Sequence, residues 1–498
     1  MNTSKQIKLG AVISYIAIGF NVLSGLIYTP WMIQTIGQDQ YALYALALSI
    51  INIFLMDFGI GSAVTRFLSK FYAENKQEEA NQFMGIVYKV YIGIAAIIAV
   101  ALFVFYFLID TIYPKLTPSE ISVFKVLYVI VACYSVISFP CMSFQGVLMA
   151  NEKFIAVKLC NLGQKVLSVA MIVIFLISGQ GVFALVFVHA VSNLVFHIVR
   201  YLIIKSKTKQ KTYLRQWDGA QAKSLFGYSA WVTIMSIAQR CIFNIMPSLI
   251  AALVGSIEVT LFSLAATLEG YVFLFADAVN GMFMPKISRI LATDTPGDSL
   301  NALMCKVGKF HVYTMGLLIV GFAGIGRQFI ELWLGPGNEI VYYCALLLIV
   351  PSLIDVPQQV AKTSLLALNI MKEQAVIYLI MAAVNIALSV ILIPWLGAIG
   401  AAVAICVAYL IRTLLFNLLY GKKLPIRLSG YFKGCYLKWS VPAILAVLAG
   451  LILTSVFKNV TIWSFLLSGF STVAIYAVAA LLMGEMDLRK IKNRLLSR

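Results

Sequence analysis

Asp57, Glu269 and Asp355, together with Lys165, Arg240 and Arg412, stand inside long runs of apolar residues. An ionisable side chain at the middle of a bilayer costs at least ~2.5–3.5 kcal/mol, which makes each of them a functional candidate. With a rise of ~1.5 Å per residue and a hydrocarbon core of ~30 Å, Asp57 falls ~24 Å from the start of its run at Tyr41, Glu269 ~18 Å in from Ile257 and Lys165 ~16 Å from Phe154. The same ruler puts Arg240, Asp355 and Arg412 ~22, ~22 and ~20 Å along theirs. Arg66, Lys89, Arg200, Asp277 and Lys362 lie nearer the ends of their runs, where a long stem can carry a charge to the headgroups. Deep Arg and Lys are natural clamps for phosphate oxygens. Carboxylates in the same space could hold a coupling H⁺ or Na⁺. The competing reading is an ion pair of Lys165, Arg240 or Arg412 with Glu269 or Asp355 that only fixes packing. In "MDFGIGSAVTR", Gly59 and Gly61 permit a helix bend or close helix contact, and only a bend brings Arg66 into the cleft that Asp57 faces. Asn21, Asn52, Gln145, Gln164, Asn244 and Asn385 would suit a hydroxyl-rich cargo, though hydrogen bonding between helices explains them equally well.

These residues need helices that cross a membrane. The 498-residue chain is 61% apolar and only 12% charged, against the ~45–50% and ~25% of soluble domains. Runs long enough to span recur at 9–36, 40–68, 83–110, 121–149, 155–178, 180–204, 224–254, 257–284, 305–333, 339–368, 373–396, 398–420, 437–457 and 459–483, which predicts an all-α polytopic membrane protein of about fourteen transmembrane helices. With the N-terminus inside, the outer loops carry only Lys115 and Lys458, and the basic runs "KSKTKQKTYLRQW" (205–217), "GKKLPIRLSGYFK" (421–433) and "DLRKIKNRLLSR" (487–498) face the cytoplasm. Positive charge is retained on that side, so both termini are expected there. The net charge of +18 then reflects topology and contact with anionic lipid, and nucleic acid need not be invoked. The first run is too long for a signal-peptide core and lacks a cleavage site. The cysteines stand singly and His189, His197 and His311 show no metal spacing, so no metal site is expected. The chain has no Walker A motif and no nucleophile elbow. No catalytic residue and no cofactor are expected. A membrane glycosyltransferase or polysaccharide polymerase needs a larger hydrophilic loop than "DTIYPKLTPSE", which leaves a secondary transporter.

The chain also repeats itself. "KVLSVAMIVIFLISGQGVFALVFVHAVSN" from Lys165 aligns with "NIALSVILIPWLGAIGAAVAICVAYLIR" from Asn385, Pro140 with Pro357, and "LYALALS" (43–49) with "LFSLAAT" (261–267). An offset of about 220 residues shifts the pattern by an even number of spans, the mark of parallel repeats. The expected plan is an N-terminal lobe of six helices (1–204), a basic cytoplasmic linker (205–223), a second six-helix lobe (224–420), and two further helices with a basic tail (421–498). Two parallel lobes leave a cleft, and rocking them around it gives alternating access.

The segment "MDFGIGSAVTRFLSKFYAENKQEEANQFMG" (56–85), with Asp-Phe-Gly-x-Gly, an Arg nine residues after the Asp and an acidic amphipathic inner loop, resembles the second-helix region of Wzx-type flippases of bacterial surface-polysaccharide synthesis (O-antigen or capsule). These belong to the multidrug/oligosaccharidyl-lipid/polysaccharide exporter superfamily. The resemblance implies a central cavity lined chiefly by helices 1, 2, 7 and 8. It implies a cargo of undecaprenyl-pyrophosphate-linked oligosaccharide turned from the cytoplasmic to the outer leaflet of the inner membrane for lipopolysaccharide or capsule, with a polysaccharide polymerase and chain-length machinery as further partners. Asp57, Gly59, Gly61 and Arg66 carry over by motif; Arg240 and Glu269 do so by their helices. A multidrug or toxin extruder or a lipid II flippase of the same superfamily, and a glycosyltransferase or polymerase of another class, are the alternatives.

Overall fold

A computed structural model describes residues 3–56, 58–215, 218–280, 284–291, 293, 296–457 and 459–483. Asp57, Lys458, the 487–498 tail and the side chain of Asp277 lie outside the described residues. The described chain is helical, with no strand among these residues. Lipid cannot accept backbone hydrogen bonds, so a chain this apolar satisfies its peptide groups within helices. Large apolar side chains stay exposed on the outer faces, such as Ile97, Phe103 and Phe107, or Trp463 and Phe470. Contiguous apolar exposure on this scale is what a bilayer covers.

The chain divides into two compact units, Met1–Ser263 with Tyr378–Ala401, and Leu264–Ile377 with Ala402–Arg498. In the first, α1 (Thr3–Ile36), α2 (Gln38–Phe54), α3 (Ile60–Ala73), α4 (Gln77–Ile112), α5 (Pro118–Ser138), α6 (Ser143–Ala150), α7 (Phe154–Ile177), α8 (Val182–Lys207), α9 (Gly219–Phe243) and α10 (Met246–Leu253) follow in order. α11 (Ser256–Asn280) carries the chain into the second unit, with α12 (Met284–Leu291), α13 (Pro296–Leu334), α14 (Glu339–Ile349), α15 (Ser352–Asp355), α16 (Gln359–Ala367), the two ends of α17 (Lys372–Lys423), whose middle belongs to the first unit, α18 (Leu428–Phe432), α19 (Lys438–Val456) and α20 (Ile462–Leu482). Local sequence sets many boundaries. The "TPSE" that opens α5 is a capping box: the Thr117 hydroxyl accepts the Glu120 N–H at 3.3 Å and the Glu120 carboxylate accepts the Thr117 N–H at 2.7 Å, satisfying donors that a helix start leaves open.

Among the described residues, eleven helices are long and apolar enough to cross a membrane, fewer than the fourteen runs read from the sequence. The difference has local causes. The run at 40–68 is split into α2 and α3 by Leu55–Gly59, where Phe58 (φ 51°) and Gly59 (φ 69°) are left-handed. The run at 224–254 is split into α9 and α10 just before Pro247, whose ring suits a helix start and not its interior. The runs at 373–396 and 398–420 are joined in the 52-residue α17, which turns at Gly397 (φ 56°, ψ −133°) after Pro394. There the Glu258 carboxylate accepts the Ala398 N–H at 2.7 Å.

In the second unit, α13 presents a row of glycines to the final helices. A Cβ on Gly308 would meet the Tyr431 ring at 2.6 Å, one on Gly316 the Trp439 ring at 2.6 Å, and one on Gly324 the Gly450 Cα at 3.2 Å. Close approach of this kind supplies the packing that apolar burial cannot supply in lipid. Trp439 Nε1–H donates to the Tyr476 hydroxyl at 2.7 Å, which donates to the Tyr313 carbonyl at 2.9 Å, tying α19 and α20 to α13.

Candidate functional site

The first unit holds a cavity of about 740 Å³, and its wall gathers polar residues from α3, α5, α6, α8 and α9. The break before α3 builds one side. Its left-handed Phe58 is held by Thr233, whose hydroxyl donates to the Phe58 carbonyl at 2.6 Å, and by an edge contact with Phe139. Glycine at 59 adopts the same region without a Cβ penalty, and α3 then restarts in a new direction, presenting Ser62 and Thr65 to the cavity. α3 lies tight on α6: a Cβ on Gly146 would stand 2.8 Å from the Gly61 carbonyl oxygen and 3.0 Å from Val64 Cγ1. The Thr65 hydroxyl donates to the Gly61 carbonyl at 3.0 Å and reaches the Gly146 carbonyl at 3.3 Å. That contact fixes Gln145 and Met149 in the wall.

Arg240 enters from α9, on the face that also carries Ser236, Gln239, Phe243 and Asn244. Its guanidinium donates to the carbonyl of Asn52 in the last turn of α2, a group the helix break strips of its intrahelical partner. A cation at this position is also favoured by the helix dipole. Arg240 therefore completes the α2 terminus while lining the cavity.

The other arginine of the wall is Arg200, on α8. Position along the helix suggests a side chain reaching for the headgroups; the structure instead leaves Arg200 only 8% exposed, turned into the cavity wall. One terminal N–H donates to the Asn161 amide oxygen at 2.8 Å, the other lies 3.5 Å from His197 Nδ1, and Nε has no partner among the described residues. No carboxylate pairs with it among the described residues. A guanidinium is always charged and offers only donors, so His197 faces it with an accepting nitrogen. The signal was present in the sequence: Asn193, His197 and Arg200 recur at i, i+4 and i+7 in an otherwise apolar helix and share one face. Asn193 accepts from the Gln164 amide at 2.6 Å and donates to the His189 carbonyl at 2.7 Å.

The remaining candidates lie elsewhere. Arg66 is exposed on α3 and Lys165 half-buried on α7, and neither is part of this wall. In the second unit, Arg412 pairs with Asp355 at 2.8 Å, with side chains 5% and 15% exposed, and its guanidinium lies 4.1 Å from the centre of the Tyr409 ring. Glu269, on α11, feels the same guanidinium. The geometry of this pair is that of a structural ion pair at the heart of the unit. Among the described residues, no group of His, Cys, Asp and Glu could hold a metal.

A buried guanidinium with no carboxylate among the described residues, in a wall shared with a second arginine, amides and hydroxyls, suits an anionic group attached to something rich in hydroxyls. Comparison with solved structures places the fold among known membrane transporters. The lipid II flippase MurJ in an inward closed conformation matches with a TM-score of 0.70 at 16% identity, over 98% of this chain and 100% of that one. An inward-facing multidrug resistance MATE family transporter of the MOP superfamily matches with a TM-score of 0.66 at 12% identity, over 85% and 99%. A MOP superfamily transporter from Pyrococcus furiosus, described by the reverse polarity of its binding pocket, matches with a TM-score of 0.61 at 12% identity, over 86% and 96%. Comparison with curated protein sequences returns no match. The family model described as polysaccharide biosynthesis protein matches residues 8–291, more than half of the chain. The all-α fold is that of these solved transporters, and the chain belongs to this polysaccharide biosynthesis family.

Proposed function

We propose that this protein flips undecaprenyl-pyrophosphate-linked oligosaccharide repeat units from the cytoplasmic to the outer leaflet of the bacterial inner membrane, for O-antigen or capsule synthesis. The observation that carries the reading is Arg200, a cation buried in the cavity wall with no carboxylate to neutralise it among the described residues. Burying such a charge is costly, and an anionic ligand arriving in the cavity supplies the missing counter-charge. Arg240 adds a second cation, and Gln145, Asn193, Gln239 and Asn244 offer donors and acceptors to sugar hydroxyls. A drug extruder for apolar cations has no use for a positive wall. Lipid II is itself a pyrophosphate-linked lipid, so a lipid II flippase is the second reading, favoured by the fold likeness that extends over 98% of this chain.

Transport proceeds by alternating access, with both termini cytoplasmic. Asp57 and Glu269 are the groups we assign to coupling with an H⁺ or Na⁺ gradient, because each sits deep in an apolar run, while Asp355 serves as the charge partner of Arg412. Transport unchanged in both Asp57→Asn and Glu269→Gln removes that assignment. The function itself is tested in cells lacking the protein, by extracting lipid-linked repeat units and probing them with a membrane-impermeant sugar reagent. Units that accumulate but stay inaccessible from outside support flipping. Units that are absent, or exposed and unpolymerised, refute it.

A further inference from the structure

The segment that follows α8, "KSKTKQKTYLR" (205–215), is built as a strap and not as a loose tether. At Thr208 the backbone leaves the helix in an extended form, φ −133° and ψ 160°. The side chains from Lys205 to Lys211 divide between an inward, bonded side and an outward, exposed one. The inward face is bonded. The Thr208 hydroxyl donates to the Ile204 carbonyl at 2.7 Å, Gln210 Nε2 donates to Asn81 Oδ1 at 3.1 Å and to the Ala80 carbonyl at 3.3 Å, and the Tyr72 hydroxyl donates to Gln210 Oε1 at 2.5 Å. Asn81, only 2% exposed, also accepts the Lys211 N–H on Oδ1 at 2.9 Å and the Tyr213 N–H on its carbonyl at 3.2 Å. Gly85 lets the Tyr213 carbonyl approach so closely that any Cβ there would overlap it.

Lys205 and Lys207 in the last turn of α8 and Lys209 and Lys211 in the strap beyond it are all exposed. None has an ion-pair partner among the described residues. The lysines of the α8 end and the strap thus form a ladder of like charges that repels itself unless anions cover it. Directly beside it, α8 opens a shallow groove of about 520 Å³ lined by Val199, Leu202, Ile203, Lys205 and Ser206. Leu202 is 54% exposed. Lys205 belongs to both features.

We propose that the strap and groove form one docking surface for anionic phospholipid, with headgroup phosphates along Lys207, Lys209 and Lys211 and an acyl chain in the α8 groove. Charge complementarity sets the headgroup, and the continuity of ladder and groove sets the tail. The surface is separate from the cavity wall, and the proposal does not rest on the cargo assigned above.

The test uses the purified full-length protein in detergent, titrated with fluorescent phosphatidylglycerol and, in parallel, phosphatidylcholine. Lys207→Gln/Lys209→Gln/Lys211→Gln is expected to weaken phosphatidylglycerol binding about 100-fold, from about fivefold for each lysine near an anionic surface, and to leave phosphatidylcholine binding unchanged. These side chains are exposed, so the variant keeps its core. Asn81→Leu retains every lysine but removes the acceptor that fixes the strap; about tenfold weaker binding is expected. Wild-type affinity in the triple variant overturns the surface. Wild-type affinity in Asn81→Leu overturns the built strap, and displacement of the lipid by equimolar inorganic pyrophosphate overturns the lipid reading.

Discussion

Arg200→Met separates a transport role from a structural one, because the two predict opposite signs. The guanidinium is 8% exposed, is bonded to Asn161 at 2.8 Å, leaves Nε without a partner, and has no carboxylate among the described residues. Methionine occupies much of the same volume without the charge. Replacing buried ionic groups with apolar side chains of similar volume stabilises by roughly 1–4 kcal/mol. The lost hydrogen bond to Asn161, whose amide is exposed and rehydrates, costs about 1 kcal/mol. The variant is therefore expected to be as stable as wild type or more so, by up to about 3 kcal/mol, seen as a rise of up to a few degrees in the unfolding midpoint. Cargo binding moves the other way. One charge-assisted hydrogen bond is worth ~1.5–3 kcal/mol, which weakens affinity about 10- to 150-fold. The assay is thermal unfolding of the purified protein with and without undecaprenyl pyrophosphate, with surface polymer measured in cells carrying the variant at matched protein level. Wild type should gain stability from the lipid and Arg200→Met should gain much less. A variant that is less stable than wild type, yet binds the lipid and supports polymer normally, refutes the assignment and makes Arg200 a packing residue.

The Arg412–Asp355 pair should behave as a unit: Arg412→Met or Asp355→Leu alone costs about 3–5 kcal/mol, whereas the double variant recovers most of it. Additive losses in thermal unfolding would show that the two do not couple. Gly146→Ala places a methyl against the Gly61 carbonyl oxygen at 2.8 Å and should destabilise by about 1–3 kcal/mol. Gly93→Ala, with nothing within 4 Å of the new Cβ, should stabilise by up to about 1 kcal/mol through helix propensity; equal shifts in the two melting curves would contradict the packing of α3 on α6. Glu258→Ala leaves the Ala398 N–H without its acceptor at the turn of α17 and should cost about 1–3 kcal/mol, read as faster proteolysis near Gly397. An unchanged cleavage pattern there would dismiss this cap.

Sequence and structure answer different questions about the same residues. Partition between bilayer and water depends on the composition of each successive window, so the helical class, the apolar runs and the depth of each charge could be read along the chain. The eleven long helices follow those runs, and the departures from fourteen occur where Gly59, Pro247 and Gly397 change the backbone. These positions carried visible signals, but a glycine or proline marks a place to break without stating whether the chain breaks there.

What the one-dimensional reading lacks is azimuth. Depth along a helix places Arg200 near an end, but the direction it points depends on the helices packed around α8. Asn161 from α7 and the polar faces of α5 and α9 turn that side of α8 into cavity wall rather than lipid surface. Similarly, depth alone made Arg412 a candidate for cargo, and only the fold brings Asp355 to 2.8 Å from it. The left-handed pair Phe58–Gly59 resets the phase of α3, so side chains beyond it no longer follow the stripe set by α2. By itself the sequence determined the membrane class, the helical elements and which charges are costly. The tertiary structure decided which of those charges are neutralised by a partner and which face an open cavity, because a charge in low dielectric is governed by neighbours within a few ångströms that are distant along the chain.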